Sequence, residues 1–216
     1  MRRLLYLGMA SILVLILSGC GGGGGDRHTT IVVDILSSGG TRDGDITFDS
    51  VLGTYSPFFS STPPNTIQVG EDPVVAGIAS RGFITFPIDS IPAGAEIRGA
   101  TIFLPILRVE LLSAPSGSVS ILVDMVSFPP LDTLVTQLQL MNVYNAEEIL
   151  LGPSLEVSPG DAGTDKYFDA TDALIEAKNR GFSSLQIRVI GSFGQINIDD
   201  LDPPAGLTPL LRVEYL

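Results

Sequence analysis

Three closely spaced aspartates are the residues of this sequence best suited to holding a metal ion. The segment NIDDLDPP, residues 197–204, contains Asp199, Asp200 and Asp202. Calcium prefers about six to eight hard oxygen ligands, which carboxylates on a turn can supply. The sequence therefore predicts either a structural calcium site at these aspartates or a solvated acidic turn, and no other cofactor. A second acidic stretch, DGDITFD, lacks the spacing and the closing glutamate of an EF-hand loop.

A loop-like segment rich in proline and serine carries three aromatic residues. GTYSPFFSSTPPN, residues 53–65, contains Tyr55, Phe58 and Phe59. Aromatic faces stack on the apolar C–H surfaces of sugar rings, so these side chains are candidate ligand-binding residues. The alternative is that the rings fill one end of a hydrophobic core, because phenylalanine is readily buried. Both interpretations are open from the sequence.

Composition restricts the catalytic chemistry that the chain can perform. It contains one histidine, His28, and one cysteine, Cys20, so histidine-dependent triads and histidine-rich zinc sites are nearly excluded. No pattern places two carboxylates across a cleft, as a glycoside hydrolase requires. We therefore do not expect an enzyme. The formal net charge of −12 repels polyanions and argues against a nucleic-acid partner.

Cys20 lies between an apolar segment and five glycines. Residues 4–17, LLYLGMASILVLIL, follow two arginines and have about the length of a signal-peptide core, short of the roughly 20 residues of a transmembrane helix. The sequence LSGC, residues 17–20, resembles a bacterial lipobox. The resemblance implies that residues 1–19 are a lipoprotein signal peptide and that a diacylglyceryl group is attached to the Cys20 sulfur. The alternative is an ordinary secretory signal with an incidental cysteine.

Lipidation of Cys20 would make a membrane the first partner of the mature protein. Several acyl chains hold a protein at a bilayer almost irreversibly, at about 0.8 kcal/mol per buried methylene. Residues 20–28 are then the lipidated cysteine and a glycine-rich tether, which reaches only ~15 Å. In the lipoprotein sorting pattern, an aspartate after the cysteine retains a protein at the inner membrane. Gly21 stands there instead, which favours the outer membrane of a bacterial cell envelope.

The rest of the chain, residues 29–216, is long enough for one sizeable hydrophobic core and is predicted to be a single domain. Short β-rich segments alternate with glycine, proline and aspartate turns. This pattern is typical of a mainly β, antiparallel, jelly-roll-like β-sandwich. The predicted strands are 29–36, 43–51, 65–70, 80–88, 98–112, 117–128, 184–193, 195–198 and 209–216.

The longest apolar segments predict the centre of this sandwich. GFITFPI and ATIFLPIL should form central strands, and residues 98–112 should be buried on both faces because little polar alternation interrupts them. The predicted core includes Phe86, Ile102, Leu104 and Ile121.

One short helix is predicted near residues 171–180. Asp169 or Thr171 can cap its start, and Gly181 can end it. Residues 131–151 carry apolar positions that fit either a helical or a strand period. We expect this stretch to be mostly irregular, with a helix at 131–140.

Three segments, taken in order, resemble the disaggregatase-related (DNRLRE-type) β-sandwich modules. SRGFITFPIDSIPAGAEIRGATIFLPI resembles their two apolar strands joined by a short linker. YFDATDALIEAKNRGFSSLQIRV resembles their later helix and strand, and PLLRVEYL resembles their last strand. The resemblance spans roughly residues 29–216. It implies a jelly roll of secreted and surface proteins, some of which bind acidic polysaccharides such as alginate. The chain departs from these modules in having no tryptophan.

On these grounds the sequence predicts a lipid-anchored protein of the cell envelope whose domain is a non-catalytic binding module for polysaccharide or envelope glycan. The alternative is a structural or assembly protein of the envelope that contacts other proteins. An exposed strip of aromatic or arginine side chains would favour the first function. A large apolar patch would favour the second.

Overall fold

The computed structural model describes residues 29–62, 65–112, 117–201 and 207–216. The predicted signal peptide, Cys20 and the glycine-rich tether lie outside these ranges. In the described part of the chain, no helix is both long and apolar enough to cross a membrane.

Antiparallel strands dominate the described residues and form one curled sheet, which confirms the predicted mainly β, jelly-roll-like sandwich. The strands are β1 (Ile31–Leu36), β2 (Gly44–Asp49), β3 (Thr54–Phe59), β4 (Thr66–Glu71), β5 (Ile78–Pro87), β6 (Ile97–Leu111), β7 (Val119–Met125), β8 (Leu150–Val157), β9 (Thr164–Asp169), β10 (Ser184–Ser192), β11 (Gly194–Asp199) and β12 (Leu210–Tyr215). Their order along the sheet is β1-β12-β6-β11-β4-β5-β10-β7-β8. In addition, β2 pairs with β3 and β5, and β9 pairs with β6.

Strand β6 forms hydrogen bonds with neighbouring strands along both of its edges. It is 15 residues long, and its two halves pair in turn with β12 and β11 along one edge. The middle of β6 pairs with β9 along the other edge. The turn that feeds β6 contains Pro92, whose carbonyl accepts a hydrogen bond from the Ala95 amide at 3.1 Å. Strand β6 therefore pairs with three strands that lie much later in the sequence.

The prediction that residues 98–112 are buried on both faces is wrong. Ala100, Ile102 and Leu104 are buried, whereas the intervening Thr101 and Phe103 are only half-buried. The difference arises because the opposite layer of the sandwich covers the side of β6 that carries Ile102 and Leu104. One face of β6 is consequently open at the surface.

The main core fills the space inside the curled sheet. It contains the four residues predicted for it, and each is fully buried: Phe86, Ile102, Leu104 and Ile121. Burial of such a side chain stabilises the fold by about 1.5–3 kcal/mol. Helix α2 (Thr171–Asn179) confirms the predicted helix near 171–180 and packs Leu174 and Ala177 against this core. The Gly181 residue after it has a φ of +71°, the left-handed conformation that commonly ends a helix.

The stretch 131–151 differs from the prediction. A single 3-10 turn spans Leu131–Thr133, and a second helix, α1, spans Gln137–Tyr144 rather than 131–140. Thr136 and Gln139 form a capping box at its start, with the Gln139 amide donating to the Thr136 hydroxyl at 3.2 Å. Strand β8 then begins at Leu150, and both β8 and β9 are strands that the sequence analysis did not predict.

Helix α1 covers a second, smaller core on the outside of β2, β3 and β5. Its buried members are Ile46, Phe83, Val126, Phe128, Leu131, Leu134, Leu140, Val143 and Tyr144. Arg188 of β10 ties this region to the sheet. Its guanidinium forms a buried ion pair with Asp124 of β7 and donates to the backbone carbonyls of Tyr144 and Ala146 at 3.2 and 2.7 Å. Both charged side chains are almost fully buried, with 4% and 2% exposure.

Candidate functional site

The open face of β6 continues across its neighbours β12, β1 and β9. Side chains alternate between the two sides of a strand, so every second residue of these four strands points away from the core. The burial patterns agree over residues 32–36 of β1, 99–104 of β6 and all of β12, where exposed or half-buried positions alternate with buried ones. In β9, the buried Phe168 lies between the exposed Tyr167 and Asp169. We call this surface the outer face. Its residues are Val32, Asp34, Leu36, Gly99, Thr101, Phe103, Asp165, Tyr167, Asp169, Leu210, Arg212 and Glu214.

A row of apolar side chains crosses the outer face at right angles to the strands. The register aligns Leu36 with Leu210, Leu210 with Phe103, and Phe103 with Tyr167. We call these four residues the apolar row. With a strand spacing of about 4.8 Å, the row extends roughly 14 Å. Tyr167 is 68% exposed and Leu36 is 43% exposed, so water reaches the row along its length.

The two aromatic rings of the row lie side by side. Their centroids are 6.0 Å apart and their planes are inclined by 40°. The Arg212 guanidinium lies 5.5 Å from the centroid of the Phe103 ring, within cation–π range. The rings of Phe103 and Tyr167 thus form two adjacent, mutually tilted aromatic surfaces on the sheet.

An ion pair borders the apolar row in the next register position. Asp34 of β1 lies directly opposite Arg212 of β12. The guanidinium donates through Nε and Nη2 to the two carboxylate oxygens of Asp34, at 2.7 and 2.8 Å. The hydrogen bond to Asp34 raises the pKa of Arg212 above its ordinary value. The positive charge of Arg212 is therefore permanent but already matched by one carboxylate.

A shallow pocket of about 390 Å³ opens beside the row. Its lining includes Leu36, Phe103 and Leu210 from the row, the charged residues Asp165 and Arg212, and also Leu207 and Thr208. Ligand pockets commonly combine apolar walls with a few polar groups that fix orientation, and this pocket lies at the small end of their usual range. The outer face thus offers two adjacent aromatic rings with hydrogen-bonding groups at their border, and such rings can stack on the apolar C–H surface of a sugar.

The structure places the three aromatic candidates from the sequence on a strand instead of a loop. Tyr55, Phe58 and Phe59 all belong to β3, and the expectation of a loop over 53–65 is corrected to that extent. Strand β3 pairs with β2 along its whole length. The Gln137 side chain of α1 binds the other edge of β3: Oε1 accepts from the Tyr55 amide at 2.7 Å, and Nε2 donates to the Tyr55 carbonyl at 2.8 Å. This partner is 82 residues away in sequence.

The three rings do not share one surface. Tyr55 and Phe59 face the second core, where the Tyr55 ring stacks on Phe48 at a centroid distance of 4.7 Å. Phe58 points to the other side of β3 and is 54% exposed. A ligand-binding role for these residues stays a prediction. Of the three rings, the Phe58 ring is the one presented to solvent.

The acidic turn after β11 is only partly described, because Asp202 lies outside the described residues. The Asp199 carboxylate accepts hydrogen bonds from the backbone amides of Leu201 and Leu207 at 3.3 and 3.2 Å. Asp200 is buried and accepts from the Ser37 hydroxyl at 3.0 Å. Within the described ranges, no three acidic, histidine or cysteine side chains lie close enough to hold a metal ion. Calcium at Asp199, Asp200 and Asp202 stays a prediction.

Two further carboxyls, Asp43 and Asp45, are buried at the start of β2. Burial, followed by the nearby charge of Asp200, raises the pKa of Asp43 to about 8. Burial also raises the pKa of Asp45 to about 7. The Asp43 oxygens accept from the backbone amides of Gly39 and Thr85 at 2.8 and 2.9 Å. Asp43 thereby holds the β1–β2 connection, whereas Asp45 accepts from the Gln68 amide of β4. With 0% and 1% exposure, both groups are closed to a polymeric ligand.

The apolar row was missed by the sequence analysis. Phe103 was counted within an apolar strand, and the segment TDKYFD was not predicted to be a strand. This segment has no alternation of apolar and polar residues, so its sequence carries no strand signal of that kind.

Comparison with known proteins adds no further assignment. No protein-family model matches the chain, and no curated protein matches it. The similarity to the disaggregatase-related modules therefore stays a prediction from the sequence.

Proposed function

We propose that this protein is a lipid-anchored component of the bacterial cell envelope whose β-sandwich binds a polysaccharide or envelope glycan without catalysing a reaction. The single observation that carries the binding function is the exposed apolar row on the outer face, with adjacent Phe103 and Tyr167 rings. Isolated apolar residues at a surface need no explanation, whereas a contiguous row across four strands supports an interaction site at this face. The resemblance to disaggregatase-related modules supports the same class of ligand.

The decisive residue of this proposal is Tyr167. Changing Tyr167 to alanine should weaken glycan binding by more than tenfold, because the ring supplies the most exposed part of the aromatic surface. The melting temperature should stay nearly unchanged, since a side chain with 68% exposure contributes little to folding. The full-length chain in detergent is first screened on a glycan array, and the affinity for the best ligand is then measured by calorimetry.

Two controls locate the effect. Tyr167→Phe should retain most of the affinity, and Val74→Ala, at an exposed position outside the four strands, should retain all of it. Loss of binding in Phe58→Ala, with Tyr167→Ala unaffected, would move the site to β3 and overturn the assignment to the outer face.

The anchor is tested at Cys20. Cys20→Ser should abolish labelling of the protein by a fatty-acid analogue, because the serine hydroxyl does not replace the thiol in lipid transfer. The protein should also move from the membrane fraction to the soluble fraction or accumulate unprocessed. Folding should not change, and circular dichroism provides the control. Labelling of the serine variant at the wild-type level would rule out Cys20 as the attachment site.

An assembly function in the envelope is the second candidate, and a different surface favours it. The β2–β3 turn exposes Val51 and Leu52, at 81% and 72%. The neighbouring β4–β5 loop exposes Val74 and Val75, at 88% and 52%. A hydrogen bond of 2.9 Å from the Ser50 amide to the Gly77 carbonyl joins the two loops.

Both loops are held by the same local arrangement. Asp49 Oδ1 accepts from the amides of Val51 and Leu52 at 2.9 and 3.0 Å. Asp72 Oδ1 accepts in the same way from the amides of Val74 and Val75, at 2.8 and 2.9 Å. Such aspartate turns fix the backbone, so the aliphatic side chains are presented in a defined arrangement. Glycan binding that depends on Tyr167 separates the first candidate from this one.

A further inference from the structure

The charge of the outer face bears on which glycan it can accept. Of the outer-face residues defined above, Asp34, Asp165, Asp169 and Glu214 carry carboxylates, and Arg212 carries a guanidinium. These groups give the face a formal net charge of −3. The whole chain is also acidic, with a net charge of −12. A polyanionic sugar chain approaching the apolar row is therefore repelled both at a distance and on contact.

The single guanidinium does not reverse this charge. Arg212 already donates hydrogen bonds through both Nε and Nη2 to Asp34. Capture of a uronate carboxylate by Arg212 requires the loss of that pairing. Lys166, the lysine of β9, lies on the opposite side of the strand from Tyr167. Its Nζ is 2.9 Å from Oδ1 of Asp161.

Two carboxylates flank the aromatic surface. Asp165 and Asp169 lie two residues to either side of Tyr167 on β9. Thr171 donates two hydrogen bonds to Asp169, and these lower the pKa of its carboxyl, so Asp169 is ionised at neutral pH. Glu214 lies farther along the outer face, opposite Gly99 and four residues from Leu210 of the apolar row. A ring stacked on Tyr167 thus places its substituents near negative charges.

We infer that the outer face selects a sugar chain carrying free ammonium groups, such as a polymer of N-deacetylated hexosamine, over neutral N-acetylated and over uronate chains. The apolar row provides the stacking surface, and Asp165, Asp169 and Glu214 provide the carboxylates that recognise the ammonium groups. The inference rests on the proposed glycan-binding function and names the ligand class for the same site. It reverses the expectation of an acidic polysaccharide that the family resemblance implied.

The test compares three matched probes on the full-length chain in detergent: oligomers of glucosamine, of N-acetylglucosamine and of uronic acid. We expect the glucosamine oligomer to bind at least tenfold more tightly than its N-acetylated counterpart, and the uronate oligomer not to bind. The affinity for the glucosamine oligomer should also fall as the salt concentration rises, because charge pairing is screened.

Variants distinguish recognition by the site from general attraction of a cation to an acidic protein. The double variant Asp165→Asn, Glu214→Gln should lose at least tenfold in affinity for the glucosamine oligomer and little for the N-acetylated one. Glu147→Gln, Glu148→Gln removes the same charge at exposed positions off the outer face and should change neither affinity. Equal losses in the two double variants, or unchanged binding in Tyr167→Ala, would overturn the inference.

The outcomes for the inference and for the proposed function differ. Tighter binding of the N-acetylated or the uronate oligomer, still dependent on Tyr167, overturns the ammonium selectivity and leaves glycan binding intact. Absence of binding to all three probes and to the glycan array overturns the proposed function as well.

Discussion

Changing Asp124 to alanine should lower the free energy of unfolding by about 3–5 kcal/mol. The loss is large because Arg188 would keep its charge inside the protein, with 4% exposure, after losing its carboxylate partner. Its remaining hydrogen bonds to the carbonyls of Tyr144 and Ala146 do not neutralise that charge. Urea denaturation measures the change, and we expect the melting temperature to fall by roughly 10 °C.

The exposed pair Asp34–Arg212 is a matched control. Both side chains are well exposed, at 39% and 46%, so Asp34→Ala should cost at most about 1 kcal/mol. The double variant Asp124→Leu, Arg188→Met should recover part of the loss, because no unpaired charge is left in the interior. An Asp124→Ala variant that is no less stable than Asp34→Ala would contradict the structural role of the buried pair.

Folding stability should decrease as the pH rises from about 4 to about 7. The folded protein raises the pKa of Asp45 to about 7 and that of Asp43 to about 8, mainly by burial. In this window the folded state binds more protons than the unfolded state, so the free energy of unfolding falls as the pH rises. Hydrogen bonds lower the pKa of Asp161 and Asp169. These two carboxylates stabilise the folded state at higher pH, and that stabilisation is lost only as the pH falls below about 4. The maximum of stability should therefore lie on the acidic side of neutrality.

The variant Asp45→Asn removes the titration of one of the two buried carboxyls. The Asp45 carboxyl accepts from the Gln68 amide at 3.0 Å and from the Thr47 hydroxyl at 3.2 Å. An asparagine can accept the first hydrogen bond and donate to the Thr47 oxygen, so the packing is retained while the titration is removed. The variant should lose less stability than the wild type between pH 4 and pH 7, as measured by urea denaturation. A wild-type stability that is flat or increasing over this range would be inconsistent with the buried, protonated carboxyls.

The parts of the fold that the sequence predicted are those whose signals are local. The apolar segments of β5 and β6, the turn at Pro92 and the glycine after α2 each lie within a few residues of the structure they produce. Strand β3 was missed although it follows β2 after a short turn and pairs with it along its whole length. The prolines and serines of residues 53–65 favour a loop, and the two hydrogen bonds from Gln137 to the other edge of β3 come from a helix much later in the chain.

The candidate site could not be predicted from the sequence, because it depends on the register between distant strands. The apolar row exists because Leu36, Phe103, Tyr167 and Leu210 occupy the same register position on four strands. Register depends on pairing between segments separated by up to 174 residues, and a shift of one residue would turn these side chains into the core. The sequence could suggest aromatic binding residues as a type, but only the sheet shows which rings lie together.

The pairing of β1 with β12 determines how the domain responds to mechanical load. The chain enters the sandwich at Ile31, the first residue of β1, and all six residues of β1 pair with β12. Antiparallel hydrogen bonds lie perpendicular to the strands, so a pull on the preceding residues along the strand axis stretches them all at once rather than one after another. The Asp34–Arg212 ion pair spans the same two strands and resists the same sliding. In the proposed function, a protein anchored at its N-terminus and bound to a polymer through Tyr167 would transmit tension through β1, β12, β6 and β9, which are paired in that order.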